Sequence, residues 1–288
     1  MSGRQEYLEQ VERIIRLRNL TEGTIRDYRF MCNRFLNWCE SINVSPREIT
    51  VEEVQRYILN LKDVIGYSPK TINSNISFVR LFFNYVLYRP LDRYMLPYQR
   101  VDLKEPEILS KDEVVQFINA LPNLKAKAMV TLLYSCGLRS AEVVGLKYSD
   151  ISRERKTVYI AHTKNRTARY VPLSNTALDV LTAYWKNSGK PRDWLFPGTK
   201  PDSHIRKDTL FSYIKDTKEK LGWCDRRITS HTFRHCLGTH MYEDGCDLPY
   251  IQKYLGHKSI TSTMVYITVT GNRLYENPLD KTGGIHLG

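Results

Sequence analysis

No two cysteines stand in a CxxC arrangement. The six thiols, Cys32, Cys39, Cys136, Cys224, Cys236 and Cys246, are scattered along the 288 residues, with neither a disulfide ladder nor zinc-site spacing. They read as small apolar residues in a reducing cytoplasm. No apolar run approaches the roughly 20 residues that cross a bilayer, and the start, MSGRQEYLEQVERII, is charged and amphipathic, without a signal-peptide core. Membrane chemistry is therefore not expected. There is no GxxxxGK[ST] loop to cradle a nucleotide phosphate and no carboxylate cluster suited to a two-metal nuclease. His231 and His235 stand four apart, but no glutamate follows His231 as a zincin would need, and no third ligand is evident. Cofactors and metals are read as none. Internal repeats and low-complexity tracts are also missing.

Acidic residues fall short of basic ones. Lys and Arg total 43 against 31 Asp and Glu, a net charge of +12. Up to Asp102 there are 15 basic and 12 acidic residues; after it, 28 and 19. The excess lies mainly in the larger C-terminal part. A surplus of this size makes a polyphosphate the first partner to consider, because each cation placed on a phosphate releases condensed counter-ions.

Two blocks emerge along the chain. Residues 1–100 read as a helical domain, 101–108 as a linker, and 109–288 as a second domain with a C-terminal tail. In the first, Ile25, Tyr28, Cys32, Phe35, Leu36 and Cys39 follow the three-four spacing of one helix face. Thr50 with Glu53 makes a capping box that opens a helix through Leu61, and Ser68-Pro69 starts a helix running to about Tyr88. The stretch RPLDRYMLPYQRVDLKEPEIL has three prolines and no period, as a linker would. In the second block, Ser110 and Glu113 repeat the capping box, a helix ends at Gly137, and KTVYIAHT and ARYVPL flank the polar turn KNRT as a hairpin. Helices follow at 175–187, 208–221, 231–243 and 248–255, with Gly222, Gly245 and Gly256 where C-terminal glycines belong. The fold class is mainly α with a small antiparallel β-sheet.

Six polar residues in the second block name complementary parts of one reaction. Tyr266 offers an oxygen nucleophile able to hold a phosphate covalently, provided that cationic neighbours favour its deprotonation. Arg139 and Arg234 present planar forks to the non-bridging oxygens, where charge accumulates in the transition state. Lys164 on the hairpin turn is placed to protonate the leaving 5′ oxygen. His231 is the expected proton acceptor for the phenol and His257 a second phosphate donor. Glu142, one turn after Arg139, orients the site. Each residue alone has an ordinary structural reading, and only the set points to phosphodiester chemistry.

The set resembles the tyrosine recombinase, or phage integrase, family, of the Xer-like or simple integrase type. The match runs through Gly137-Leu138-Arg139 with Glu142, Leu146 and Asp150; Lys164 with Arg169 and Val171-Pro172-Leu173; His231, Arg234 and His235; and Leu255-Gly256-His257 with Ser259, Thr263 and Tyr266. Cys236 stands where a small Ser or Thr is usual, and Ile267-Thr268 follows the tyrosine where a Thr-His pair is common. The resemblance implies a helical, SAM-like core-binding domain and a catalytic domain that form a C-shaped clamp on DNA. It implies strand cleavage and rejoining through a 3′-phosphotyrosine and a Holliday junction, without metal or ATP, in integration, excision, transposition of a mobile element or dimer resolution. The implied partners are double-stranded DNA with inverted half-sites and, on synapsed DNA, a homotetramer built from free monomers in a cytoplasmic, nucleoid-associated setting. The segment after the tyrosine is implied to pack on a neighbouring subunit, with Leu274, Tyr275 and Leu279 as anchors. Arg26, Arg29, Arg34, Lys70, Arg80 and Arg169 are candidate DNA contacts. Two other readings stay open at this point: relaxation of supercoils by a type IB topoisomerase, and a catalytically idle DNA-binding protein. The short helical N-terminal domain resembles recombinases more, and no extra arm-binding domain is expected.

Overall fold

The computed structural model describes residues 2–102, 105–161, 168–200 and 202–269. The chain divides into two compact units, Met1–Lys104 and Glu105–Gly288.

The first unit holds α1 (Ser2–Leu17), α2 (Glu22–Ser41), α3 (Val51–Leu59) and α4 (Pro69–Tyr85). Each start after the first has a local cause. The hydroxyls of Thr21, Thr50 and Ser68 accept from backbone N–H groups three residues on, and Glu53 returns the bond to the Thr50 N–H at 2.8 Å. The predicted face of α2 is the buried one, with Ile25, Cys32, Phe35, Leu36 and Cys39 inside. Phe35 sits among Tyr57, Phe78, Phe82 and Phe83, all in edge-on contacts. α3 stops at Leu59, short of Leu61, because a π-type turn takes over at Asn60–Val64. α4 also ends before Tyr88, which adopts a left-handed φ of 55°.

The proline-rich segment after α4 is less free than its composition suggests. Asn73, Ser77 and Arg80 lie along one face of α4 and bind it. Asn73 donates to the Gln99 carbonyl at 2.9 Å and accepts from the Gln99 N–H at 2.7 Å; Ser77 meets the Tyr98 hydroxyl at 3.1 Å; Arg80 donates to the Leu96 carbonyl at 2.6 Å. Side chains thus satisfy backbone groups that no periodic structure would, and Leu96 joins the core of this unit.

The second unit contains α5 (Lys111–Ala120), α6 (Leu124–Ser135), α7 (Ser140–Val144), β1 (Ile151–Ser152), β2 (Thr157–Ile160), β3 (Arg169–Pro172), α8 (Asn175–Asn187), α9 (Lys207–Lys220), α10 (Ser230–Glu243), α11 (Leu248–Leu255) and α12 (Thr261–Val269). The sheet order is β1-β2-β3, antiparallel throughout, with Val158 opposite Val171 and Ile160 opposite Arg169. Val158, Ile160 and Val171 point into the core, while Tyr159 and Tyr170 pair on the other face at 4.9 Å. α6 packs against α8 and α10, and α10 against α11 and α12.

The lead-in to this unit is held from two elements. Arg226 donates to Glu107 at 2.7 Å and Glu113 at 2.5 Å. The Leu109 N–H donates to Cys236 Sγ at 3.2 Å, and the Leu109 carbonyl lies 3.0 Å from His240 Nε2, both on α10. A carbonyl only accepts, so Nε2 carries the proton and Nδ1 faces the Tyr134 hydroxyl at 2.9 Å. Among the described residues no helix is long and apolar enough to cross a membrane, and no group of three or more His, Cys, Asp or Glu is placed to hold a metal ion.

Candidate active site

α6 ends at the sharp turn that creates the site. Gly137 takes φ 57°, and a Cβ there would lie 2.5 Å from a Leu255 methyl, so glycine satisfies both the backbone and the close approach. The next residues, Leu138-Arg139, lead into α7, whose first turn is closed from one side: the Arg139 N–H donates to Glu142 Oε2 at 2.9 Å.

Glu142 is the hub. Its carboxylate also accepts from Arg139 Nη1 at 2.9 Å and from both terminal nitrogens of Arg169, at 3.0 and 2.9 Å. The side chains of Glu142, Arg169 and Arg139 are 1%, 12% and 19% exposed. Burial pushes the Glu142 carboxyl up, but the bonds and charge of Arg169, with those of Arg139, outweigh it and hold the group below the ordinary carboxylate range. Arg169 also stacks its stem on Gly256, where a Cβ would come within 3.0 Å of its Cδ. Strand β3, helix α7 and the end of α11 are therefore tied at one point.

Arg234 projects from α10 and is 4% exposed. Its Nη1 donates to the Gly137 carbonyl and its Nη2 to the Leu255 carbonyl at 2.6 Å. Among the described residues it makes no ion pair with a carboxylate. Burial first, and the charge of Arg139 second, bring its pKa down to about 10, so it remains a cation at neutral pH. Two of its five N–H donors are committed to carbonyls; the rest of the fork is left for other acceptors.

His257 follows Gly256, the left-handed cap of α11, and its Nδ1 is 2.9 Å from the Thr263 hydroxyl. Tyr266, on α12, has no exposed surface. Its ring stacks with that of His257 at 6.4 Å and meets that of His235 edge-on at 6.1 Å. Burial first, then the nearby arginines, lower His257 to about 3; burial first, then His231 and Arg234, lower His235 to about 4. Burial raises the Tyr266 phenol to about 12 against the pull of Arg234. The expectation that surrounding cations would favour the phenolate is thus reversed in this arrangement, where desolvation dominates.

The structure brings Arg139, Glu142, Arg234, His257 and Tyr266 into one region of the second unit, with His231 exposed in the first turn of α10. Lys164 lies outside the described residues, as do Leu274, Tyr275 and Leu279. Three residues were missed as site members. His235 reads in sequence as half of an abandoned zinc pair. Thr263 was only a motif letter, and Gly238 carried no signal beyond being a glycine inside a helix.

The candidate DNA contacts separate into two groups. Arg26 and Lys70 are exposed. Arg29 pairs with Glu12 at 2.7 Å, Arg34 lies over the rings of Phe30 and Tyr67, and Arg80 is bound to backbone carbonyls beneath Tyr98. Arg169 departs furthest from the expectation, since Glu142 occupies both ends of its fork.

Residues 107–273 match the phage integrase family, and residues 7–93 match the phage integrase N-terminal SAM-like domain. A putative integrase/recombinase, y4qK, of Sinorhizobium fredii is 32% identical over 231 residues, which span 80% of this chain and 74% of that one. The tyrosine recombinase XerA of Thermococcus onnurineus is 28% identical over 281 residues, 95% and 94% of the two chains. Among solved structures, the XerH site-specific recombinase bound to its difH substrate shares the fold with a TM-score of 0.68 at 19% identity, covering 88% of this chain and 80% of that one. The Tn1549 transposon integrase in complex with circular intermediate DNA shares it with a TM-score of 0.70 at 18% identity, covering 90% and 94%. The chain belongs to the phage integrase family, the tyrosine recombinases, and within it is Xer-like: a site-specific enzyme of DNA recombination and integration that cleaves and rejoins DNA.

Proposed function

We propose that Tyr266 is the nucleophile of this reaction and that Arg139 and Arg234 hold the scissile phosphate. The carrying observation is the charge imbalance around Glu142. The guanidiniums of Arg139 and Arg169 share this single buried carboxylate, while a third, that of Arg234, feels the charge of Arg139 and has no carboxylate paired to it among the described residues. A buried surplus of positive charge is a site waiting for an anion, and a phosphodiester supplies one.

In the proposed reaction the Tyr266 oxygen attacks phosphorus, forming a 3′-phosphotyrosine, while the 5′ oxygen departs. The phenolic proton passes to His231, Lys164 protonates the leaving oxygen, and His257 donates to a non-bridging oxygen. The phosphotyrosine keeps the ester bond energy, so attack by another 5′-hydroxyl reverses the step without ATP. The substrate of the proposal is duplex DNA with inverted half-sites, bound by a homotetramer that proceeds through a Holliday junction. The DNA complexes of XerH and of the Tn1549 integrase support DNA as the partner.

The test is a nicked suicide duplex, its site selected by the chain from random-sequence DNA. The enzyme should leave a covalent adduct, and Tyr266→Phe should abolish it. An adduct that survives in Tyr266→Phe would refute the assignment. Removing residues after Gly271 should weaken synapsis of two duplexes more than binding of one; equal loss would count against a tail exchanged between subunits.

A further inference from the structure

Gly238 lies in the interior of α10, one turn beyond Arg234, and it touches the flat of the Tyr266 ring. A Cβ built there would fall 2.3 Å from Cζ, 2.5 Å from Cε2 and 2.8 Å from Cε1 of that ring. No real side chain tolerates such distances, so the ring and a methyl group at position 238 exclude each other. The remaining surroundings of the ring complete an enclosure. His257 stacks on it and His235 meets it edge-on. Both imidazoles are neutral at physiological pH, and the ring has no exposed surface. A phenol held this way is protonated and out of reach of any phosphate.

We propose that Gly238 is a positioning residue: its missing side chain makes a seat that holds Tyr266 away from DNA in the free protein, and the ring must leave this seat to attack. The inference rests on Tyr266 being the nucleophile, although the seat itself can be tested without any cleavage.

The physical signature is a reversal of sign. A glycine in a helix interior normally costs stability relative to alanine, because it gives up more backbone freedom on folding. Gly238→Ala should therefore raise Tm unless something occupies the Cβ position. With Tyr266 present, the variant should lower Tm. In a Tyr266→Ala background, the same change should raise Tm or leave it unaltered. Tyr266→Phe keeps the ring, so there Gly238→Ala should again lower it. An equal Tm change in the tyrosine and alanine backgrounds overturns the seat. If Gly238→Ala alone does not fold, the Gly238→Ala/Tyr266→Ala pair must fold and melt at or above Tyr266→Ala; failure of the pair overturns it as well.

Position, as opposed to stability, is read by nitration with tetranitromethane and peptide mass spectrometry. Tyr266 should be protected in the wild type and nitrated several-fold faster in Gly238→Ala. Tyr184, 2% exposed in the same unit, should stay protected in both, which separates local eviction from general opening. Unchanged protection of Tyr266, or parallel loss at Tyr184, overturns the proposal. On the nicked suicide duplex at saturating concentration, Gly238→Ala should form adduct several-fold faster with the same DNA affinity; a rate that fails to rise overturns the seat as a resting position. An adduct independent of Tyr266 would instead strike the nucleophile assignment and leave the melting cycle untouched.

Discussion

The two halves of the site are built to different plans. On the arginine side every group is fixed in advance. Glu142 accepts four hydrogen bonds, Arg169 grips it with two nitrogens, and Arg234 is pinned to two carbonyls. On the tyrosine side the proposed nucleophile lies buried against two neutral imidazoles, with its pKa moved up to about 12. Electrostatic stabilisation works best when donors are already oriented before charge develops. A nucleophile gains nothing from being ready before its substrate arrives. In the proposed reaction this contrast puts pre-organisation in the arginines that would hold the phosphate and leaves control to the tyrosine.

Glu142→Ala should break the contrast most severely. It leaves Arg139 and Arg169 without their shared anion, and stripping one partner from a buried ion pair typically costs about 3–5 kcal/mol. Urea denaturation measures this, and a loss under about 1 kcal/mol would show that the cluster is not wired as described. Arg234→Ala comes next, with adduct formation expected to fall by about 10²–10³, the usual effect of removing one transition-state donor. Arg234→Lys should not restore it, since an ammonium lacks the planar fork that reaches both carbonyls; recovery to within threefold of wild type would argue for a simple point charge. Arg169→Lys should have a smaller effect, lowering adduct formation by about tenfold, or roughly 1.4 kcal/mol, with DNA affinity unchanged. Weakened DNA binding with a normal cleavage rate would return Arg169 to the DNA interface.

The smallest effect concerns pH. His235 and His257 have folded-state values of about 4 and about 3, below the ordinary 6.5. As pH falls below about 6.5 the unfolded chain takes up protons that the folded one refuses. Their contribution to stability is thus complete above that value and drains away toward about pH 3. Tm should decline over this window, and His235→Gln should flatten the decline. An identical pH profile in the variant would mean that the imidazole takes up its proton as readily in the fold as in the unfolded chain.

Local devices were legible in the sequence, and long-range ones were not. The boxes at Thr50/Glu53 and Ser110/Glu113 involve residues three apart, and the face of α2 is a matter of spacing. α7 went unseen because it is five residues long, and its meaning lies in a partner, Arg169, 27 positions away. α12 is rich in threonine, valine and isoleucine, residues that favour strands by propensity; its packing on α10 and α11 makes it a helix. The four motif blocks located Arg139, Arg234, His257 and Tyr266 together because each carries several fixed letters. Their relation was hidden. Nothing in the order of residues says that Arg169 faces a carboxylate, or that Gly238 lies under an aromatic ring.

The double hold on Leu109 carries its own consequence. Cys236 and His240 grasp the two polar groups of one peptide residue from the same helix that bears Arg234 and Gly238. Traction on the chain ahead of residue 109 would therefore be shared between the Arg226–Glu107 pair and α10, which it would enter between Arg234 and the C-terminal end of that helix.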